Sequence, residues 1–149
     1  MIQKSLAEQP LPIYGDGLNV RDWLHVEDHC SAIRAVIKGG QTGEVYNVGG
    51  DAEMTNIDVV RTICSQLDSK YPRGGGSYFD LVTYVTDRPG HDRRYAIDSS
   101  KLQGELGWRP EHTFTTGIEQ TVQWYLDNES WWRALQNREG VGKRLGVTV

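Results

Sequence analysis

Apolar residues recur along this chain with two periods, and each period predicts its own kind of element. Ile2 to Leu6 reads as the end of a helix. Leu11 to Gly17, LPIYGDG, is a short extended segment closed by a Gly-Asp-Gly turn. From Val20 to Val26 the period is two. Val20, Asp22, Leu24 and Val26 share one face, and Asn19, Arg21, Trp23 and His25 share the other. Arg21 therefore points away from the apolar face, and Asp22 needs a hydrogen-bonding partner if buried. The period then becomes helical. Val26, Cys30, Ile33 and Ile37 form a predicted buried stripe, Glu27 and Asp28 suit a first turn, and Gly39-Gly40 ends the run.

Glu44 to Val48, EVYNV, predicts a strand closed by Gly49-Gly50. Thr55 is the predicted cap of a second helix, with Ile57, Val60, Cys64 and Leu67 on its buried stripe. Pro72 to Ser77, PRGGGS, is a flexible loop too short for a domain linker. Leu81 to Thr86 is β-like, Tyr95 to Ile97 extended, and Asp98 caps a short helix stopped by Gly107. Thr116 to Glu119 has the pattern of a capping box for a last helix. Ile118, Val122, Tyr125 and Leu126 are its apolar face, extended by Trp131 and Trp132. The tail, 137–149, is polar, Gly-rich and expected to fray. The expectation is a mixed α/β (α+β) domain over 1–136, with no internal repeat.

The chain has 149 residues and a net charge of −4, so a nucleic-acid partner is not expected. No apolar run reaches the length of a membrane span, and MIQKSLAEQP lacks the apolar core of a signal peptide. A cytoplasmic protein without a membrane partner is expected. Cys30 and Cys64, both in helical apolar patterns, are read as buried reduced thiols.

The densest chemistry lies in Asp87 to Arg94, DRPGHDRR. Pro89 makes Arg88 extended, and Pro-Gly suits the centre of a type II turn. Arg88 and His91 then stand at the two ends of that turn, a good receptor for a diphosphate or carboxylate. The plainer alternative is a solvated loop whose arginines pair with Asp87 and Asp92. No metal site is expected, because a strand-to-helix junction separates His25 from His29 and both cysteines look like core. No G-x-S-x-G nucleophile turn is present. Neither Gly15-Asp16-Gly17 nor Gly74-Gly75-Gly76 fits the dinucleotide pattern G-x-G-x-x-G.

Taken in order, LPIYGDG, RDWLHVEDH, GEVYNVGG, TNIDVV, DRPGHDRRYAID, ELGWRP and GIEQTVQWYL resemble the C-terminal part of the nucleotide-sugar short-chain dehydrogenase/reductases. Within them the likeness is to the dTDP-glucose 4,6-dehydratases, over about Ile2 to Leu135. RDWLHVEDH and DRPGHDRRYAID carry the specificity; LPIYGDG and ELGWRP are shared with epimerases and decarboxylases. The resemblance implies the substrate-binding part of a Rossmann-type enzyme. In the family an N-terminal Rossmann domain binds NAD and carries a Tyr-x-x-x-Lys pair. The reaction oxidises C4 of the glucose, eliminates water across C5 and C6, and returns the hydride to C6.

None of this chain's seven tyrosines has Lys four residues later. No catalytic residue is therefore expected in it, no cofactor is expected to bind it alone, and the Rossmann domain is expected as its missing partner. Exposed apolar area left by that partner predicts non-native self-association. The resemblance assigns Pro12, Ile13 and Tyr14 to the thymine base and Asn56 to the nucleotide. It assigns Arg21 and Arg88 to the diphosphate and His91 toward the sugar; Asp87 opens the same motif and is counted with them. Arg93, Arg94 and Asp22 are read as structural, with an arginine pairing to Asp22 or Asp98, and Asn47 as a turn former. A UDP-sugar epimerase or decarboxylase, and a fragment without a ligand, are the alternatives.

Overall fold

The structure is a computed structural model describing residues 1–136; the tail expected to fray lies outside the described residues. A short helix α1 (Ile2–Leu6) leads into strand β1 (Leu11–Tyr14). Strand β2 (Val20–Asp22) runs into helix α2 (Val26–Gly39), and strand β3 (Glu53–Thr55) into helix α3 (Asn56–Lys70). A 3-10 turn (Tyr78–Leu81) precedes strand β4 (Val82–Val85). Helices α4 (Ser100–Leu106), α5 (Phe114–Asp127) and α6 (Glu129–Gln136) follow. No helix among the described residues is long and apolar enough to cross a membrane.

Two small sheets carry the strands. β1 pairs parallel with β4, from Leu11 opposite Val82 to Tyr14 opposite Val85. β2 pairs antiparallel with β3, with Arg21 opposite Met54. The main core sits under α3, whose Ile57, Val60, Cys64 and Leu67 are buried as predicted, together with Val59 and Ile63. They pack with Leu11, Ile13, Tyr78 and Val122. Thr55 caps α3, its hydroxyl accepting from the Asp58 N–H at 3.2 Å.

A second, smaller core joins α2 to α4 through Ala32, Leu102 and Trp108. Here the predicted stripe is reversed. Val26 (67% exposed), Ile33 (45%) and Ile37 (79%) face outward, and Cys30 is exposed, so only Cys64 of the two thiols is buried. The buried face of α2 is instead Asp28 and Ala32, with Ala35 and Val36 partly buried. Small side chains let α2 approach the Leu102–Trp108 cluster closely, and the larger apolar residues are left on the other side. The predicted strand Glu44–Val48 forms no ladder, because no described strand runs beside it; Tyr46 and Val48 pack on the small core while Val45 is exposed. The period-two reading of Val20 to Val26 also fails beyond Asp22: Asn19 is buried, and His25 is already the cap residue of α2.

Two helix starts shift. The capping box of α5 is formed by Thr113 and Thr116, three residues before the predicted one, and Asn128 separates α5 from α6. Trp132 is buried and donates its indole N–H to the Tyr125 carbonyl at 2.8 Å, whereas Trp131 is exposed. Asp98 accepts from the Ser100 N–H at 2.9 Å, although the cap residue of α4 is Ser99.

Asp28 is the polar centre of the small core. Its carboxylate accepts the N–H groups of Glu111 and His112, each at 3.0 Å, and lies 3.1 Å from the His112 ring. Burial pushes its pKa up, but the bonds from Glu111 and His112 outweigh burial and hold it below the ordinary value. The unfolded chain therefore binds more protons at acid pH, and stability rises with pH there. This stabilisation is complete above the ordinary carboxyl value of 3.8 and is lost as pH falls through the lower folded value. Asp28→Asn, which cannot accept both backbone N–H groups, is expected to cost about 1–3 kcal/mol at neutral pH. Urea denaturation in the acid range checks this: the gap between wild type and variant narrows as pH falls below the ordinary carboxyl value of 3.8.

Candidate functional site

β1 and β4 run parallel, so the loops leaving their C-terminal ends lie side by side. Gly15-Asp16-Gly17 follows β1 and Asp87 to Tyr95 follows β4. The Gly15 N–H donates to the Val85 carbonyl at 3.0 Å, continuing the ladder into the turn. Gly17 has φ 74°, and a Cβ on it would lie 2.8 Å from Ile13 Cγ2 and 3.1 Å from Ile57 Cβ. The Ile57 N–H donates to the Gly17 carbonyl at 2.9 Å. The turn is thus seated directly on the start of α3, which presents Asn56.

A cleft of about 450 Å³ opens at this corner, and Pro12, Ile13, Tyr14 and Asn56 all line it. Tyr14 meets the His91 ring edge to face, with centroids 6.4 Å apart. His91 Nδ1 lies 2.6 Å from Asp87 Oδ1, and the imidazole is largely buried while the carboxylate is exposed. That bond holds the Asp87 carboxyl below its ordinary value. Gly90 has φ 68°, as the third position of a type II Pro-Gly turn requires.

Arg21 is fixed from two sides. Its guanidinium donates to the Val20 carbonyl at 2.6 Å and the Asp92 carbonyl at 3.0 Å, and it lies 4.6 Å from the Tyr95 ring centroid. The Tyr95 hydroxyl bonds the Asp92 carboxylate, which pushes its pKa up, while Arg21 and Arg88 both push it down. Of the two, Arg21 is the one in contact with Tyr95.

Arg93 and Arg94 do tie the loop down, with partners other than the predicted Asp22 and Asp98. Arg93 reaches both oxygens of Asp16, at 2.9 and 3.0 Å, and Arg94 makes a fork of two 2.6 Å bonds with Glu53. These pairs follow from the pairing of the loop along β2, where Val20 bridges Arg94. Asp22 accepts instead from the N–H groups of Gly50 and Ala52, at 2.8 and 2.9 Å. Gly49 permits this approach, since a Cβ there would lie 2.7 Å from the Asp22 carboxylate. Asn47 is exposed and does not line the cleft.

Tyr95 was not singled out in the sequence; its position directly after Arg93-Arg94 is the only local sign of it. A second cleft, of about 610 Å³, also escaped notice. It is lined by Trp23, His25, Glu27, His112, Gln120 and Trp124 among others. Trp23 lines both clefts. His25 and His112 lie in contact there, with ring centroids 4.2 Å apart. Their separation along the chain hides the pair from any reading of local spacing.

Neither glycine cluster among the described residues is built as a dinucleotide turn. Gly17 leads into β2 and fills its space against Ile13 and Ile57, and Gly76 leads into the 3-10 turn. Neither glycine cluster makes the strand-to-helix turn that seats a pyrophosphate.

The family model for GDP-mannose 4,6 dehydratase matches residues 1–121. The chain is 55% identical over 150 aligned residues to a dTDP-glucose 4,6-dehydratase of Xanthomonas campestris pv. campestris, covering 100% of this chain and 43% of that protein. It thus spans less than half the length of this curated relative. The dTDP-glucose 4,6-dehydratase of Bacillus anthracis, solved in complex with NAD, superposes with a TM-score of 0.78 and 50% identity over 90% of this chain and 40% of that one. That of Streptomyces venezuelae, solved with NAD bound, gives 0.79 and 40% over 90% and 39%.

Gly17→Ala is expected to destabilise the protein by more than about 1 kcal/mol, because both the backbone angle and the Ile13–Ile57 contact oppose a side chain. Gly104→Ala, inside α4 with nothing within 4 Å of the added carbon, is expected to act in the opposite direction by about 0.5–1 kcal/mol. Urea midpoints of the two variants measure both.

Proposed function

The chain belongs to the GDP-mannose 4,6 dehydratase family, and on that premise we propose that it forms the nucleotide-sugar-binding portion of a dTDP-glucose 4,6-dehydratase. Such an enzyme converts dTDP-glucose to dTDP-4-keto-6-deoxyglucose and water, a step of deoxysugar synthesis in the cytoplasm. The observation that carries the reading is the cleft shared by Pro12, Ile13, Tyr14 and Asn56, with the His91 ring edge to face against Tyr14.

In this reading the thymine lies along Pro12 to Tyr14, with Asn56 hydrogen-bonding the nucleotide. Arg21 and Arg88 take the diphosphate. Arg21 is held by two carbonyls and the Tyr95 ring, so little side-chain entropy is lost on binding. Guanidinium–phosphate bonds are charge-assisted and commonly bidentate. His91, braced by Asp87, faces the sugar. NAD supplies the hydride acceptor of the overall reaction. The NAD contacts and the C4 base belong to a Rossmann portion supplied by the rest of the enzyme.

The outward stripe of α2, with Val26, Ile33 and Ile37, and the exposed Val45 beside the small core, suit a contact with that portion. Alone, the chain is expected to self-associate through this face. Ile33→Lys with Ile37→Lys is expected to shift sedimentation toward the monomer while leaving dTDP binding unchanged.

Calorimetric titration tests the ligand reading. dTDP is expected to bind more tightly than UDP, and Arg21→Ala and Arg88→Ala are each expected to weaken dTDP binding at least about tenfold. Arg93→Ala is expected to bind as wild type. A preference for UDP would move the assignment to an epimerase or decarboxylase. No heat with either ligand at millimolar concentration would remove the ligand function of the chain on its own.

A further inference from the structure

We propose that His25, Glu27 and His112 form a binding site for a divalent cation of the zinc class, at the edge of the second cleft. The proposal does not depend on the nucleotide reading. One ligand atom from each of these residues lies within 4.8 Å of the other two. His112 Nε2 is 3.7 Å from Glu27 Oε2. The opposite nitrogen of the same ring, Nδ1, faces the buried Asp28 carboxylate at 3.1 Å. Asp28 thus fixes the ring and its tautomer and leaves Nε2 directed at Glu27. A carboxylate behind a ligating imidazole is the arrangement that orients histidines at metal centres.

His25 supplies an independent sign. Its Nδ1 is buried and has no hydrogen-bond partner among the described residues. An orphaned buried nitrogen carries a desolvation cost, which a bound cation would relieve. The ring is held between His112 and Gly117, where an added Cβ would lie 3.3 Å from His25 Cβ. Glu27 has an exposed side chain and is the adjustable member, able to swing its carboxylate toward the two rings.

Two imidazoles and one carboxylate suit zinc and its neighbours rather than magnesium or calcium, which prefer oxygen donors. Three protein ligands leave a fourth position open toward the cleft, the layout of zinc sites that keep a water or a ligand. The site joins the start of α2 to the segment just before α5, so an ion there also clips the small core to the large one.

The test uses the full chain, stripped with EDTA and kept reduced with a phosphine. CoCl2 is titrated with visible absorption as the readout, and ZnCl2 with calorimetry and melting temperature. The expected result is saturation at one equivalent, the intense visible bands of low-coordinate Co2+, and a higher melting temperature with Zn2+. His25→Ala and Glu27→Gln are expected to weaken binding at least tenfold, and Glu27→Gln alters an exposed side chain that the fold does not need. His29→Ala and Cys30→Ser are expected to bind as wild type. No saturation at one equivalent, wild-type binding by both His25→Ala and Glu27→Gln, or loss of binding in His29→Ala or Cys30→Ser would each overturn the site.

Discussion

The parallel pairing of β1 with β4 is the constraint on which the rest depends. It joins two strands far apart in sequence and sets the loops after Tyr14 and after Val85 side by side. A parallel pair needs a long crossover, and here it holds β2, α2, β3 and α3. α3 then lies under the junction and seats Gly17 with its first residues. Tyr14 shares a cleft with Asn56 and touches His91 only because the pair, the turn and the helix start converge there. No one of the three stands on a segment that could place the other two.

Charge at this corner is sorted by pairing rather than by number. Four arginines serve the loop and its surroundings, in a chain of net charge −4. Arg93 and Arg94 are matched by Asp16 and Glu53; the Leu18 N–H and then Arg93 hold the Asp16 carboxyl below its ordinary value, and Arg94 does the same for Glu53. These exposed pairs add little to stability but set the path of the loop along β2. Arg21 is held by carbonyl oxygens, which orient it without cancelling its charge. The paired arginines of the loop thus shape it, while Arg21 of β2 keeps its charge beside the Tyr95 ring.

Local pattern made much of this legible. The Gly-Asp-Gly turn, the Thr55 cap, the α3 stripe, the Pro-Gly turn and β4 are all set by residues within a few positions, and they form where expected. The arginine partners were not legible, because Asp16 and Glu53 are equally ordinary surface acids until the loop lies beside them. The His25–His112 contact was hidden for the same reason. Asp28 stands in the first turn of α2 as expected, and it is also the buried acceptor that ties α2 to the start of α5, a role the local pattern does not show. A buried carboxylate looks like any other in sequence until its donors are known.

The two clearest departures have one physical cause. Val26, Cys30, Ile33 and Ile37 repeat at the spacing of a packed helix, and EVYNV has the composition of a paired strand. In the described residues the helix turns that stripe outward and the segment has no ladder. Apolar periodicity records which face a residue buries, not what it is buried against. The large core under α3 has no such surplus: its predicted stripe is filled by β1, the 3-10 turn and α5. The site corner rests on that closed core, and the open face lies on the other one.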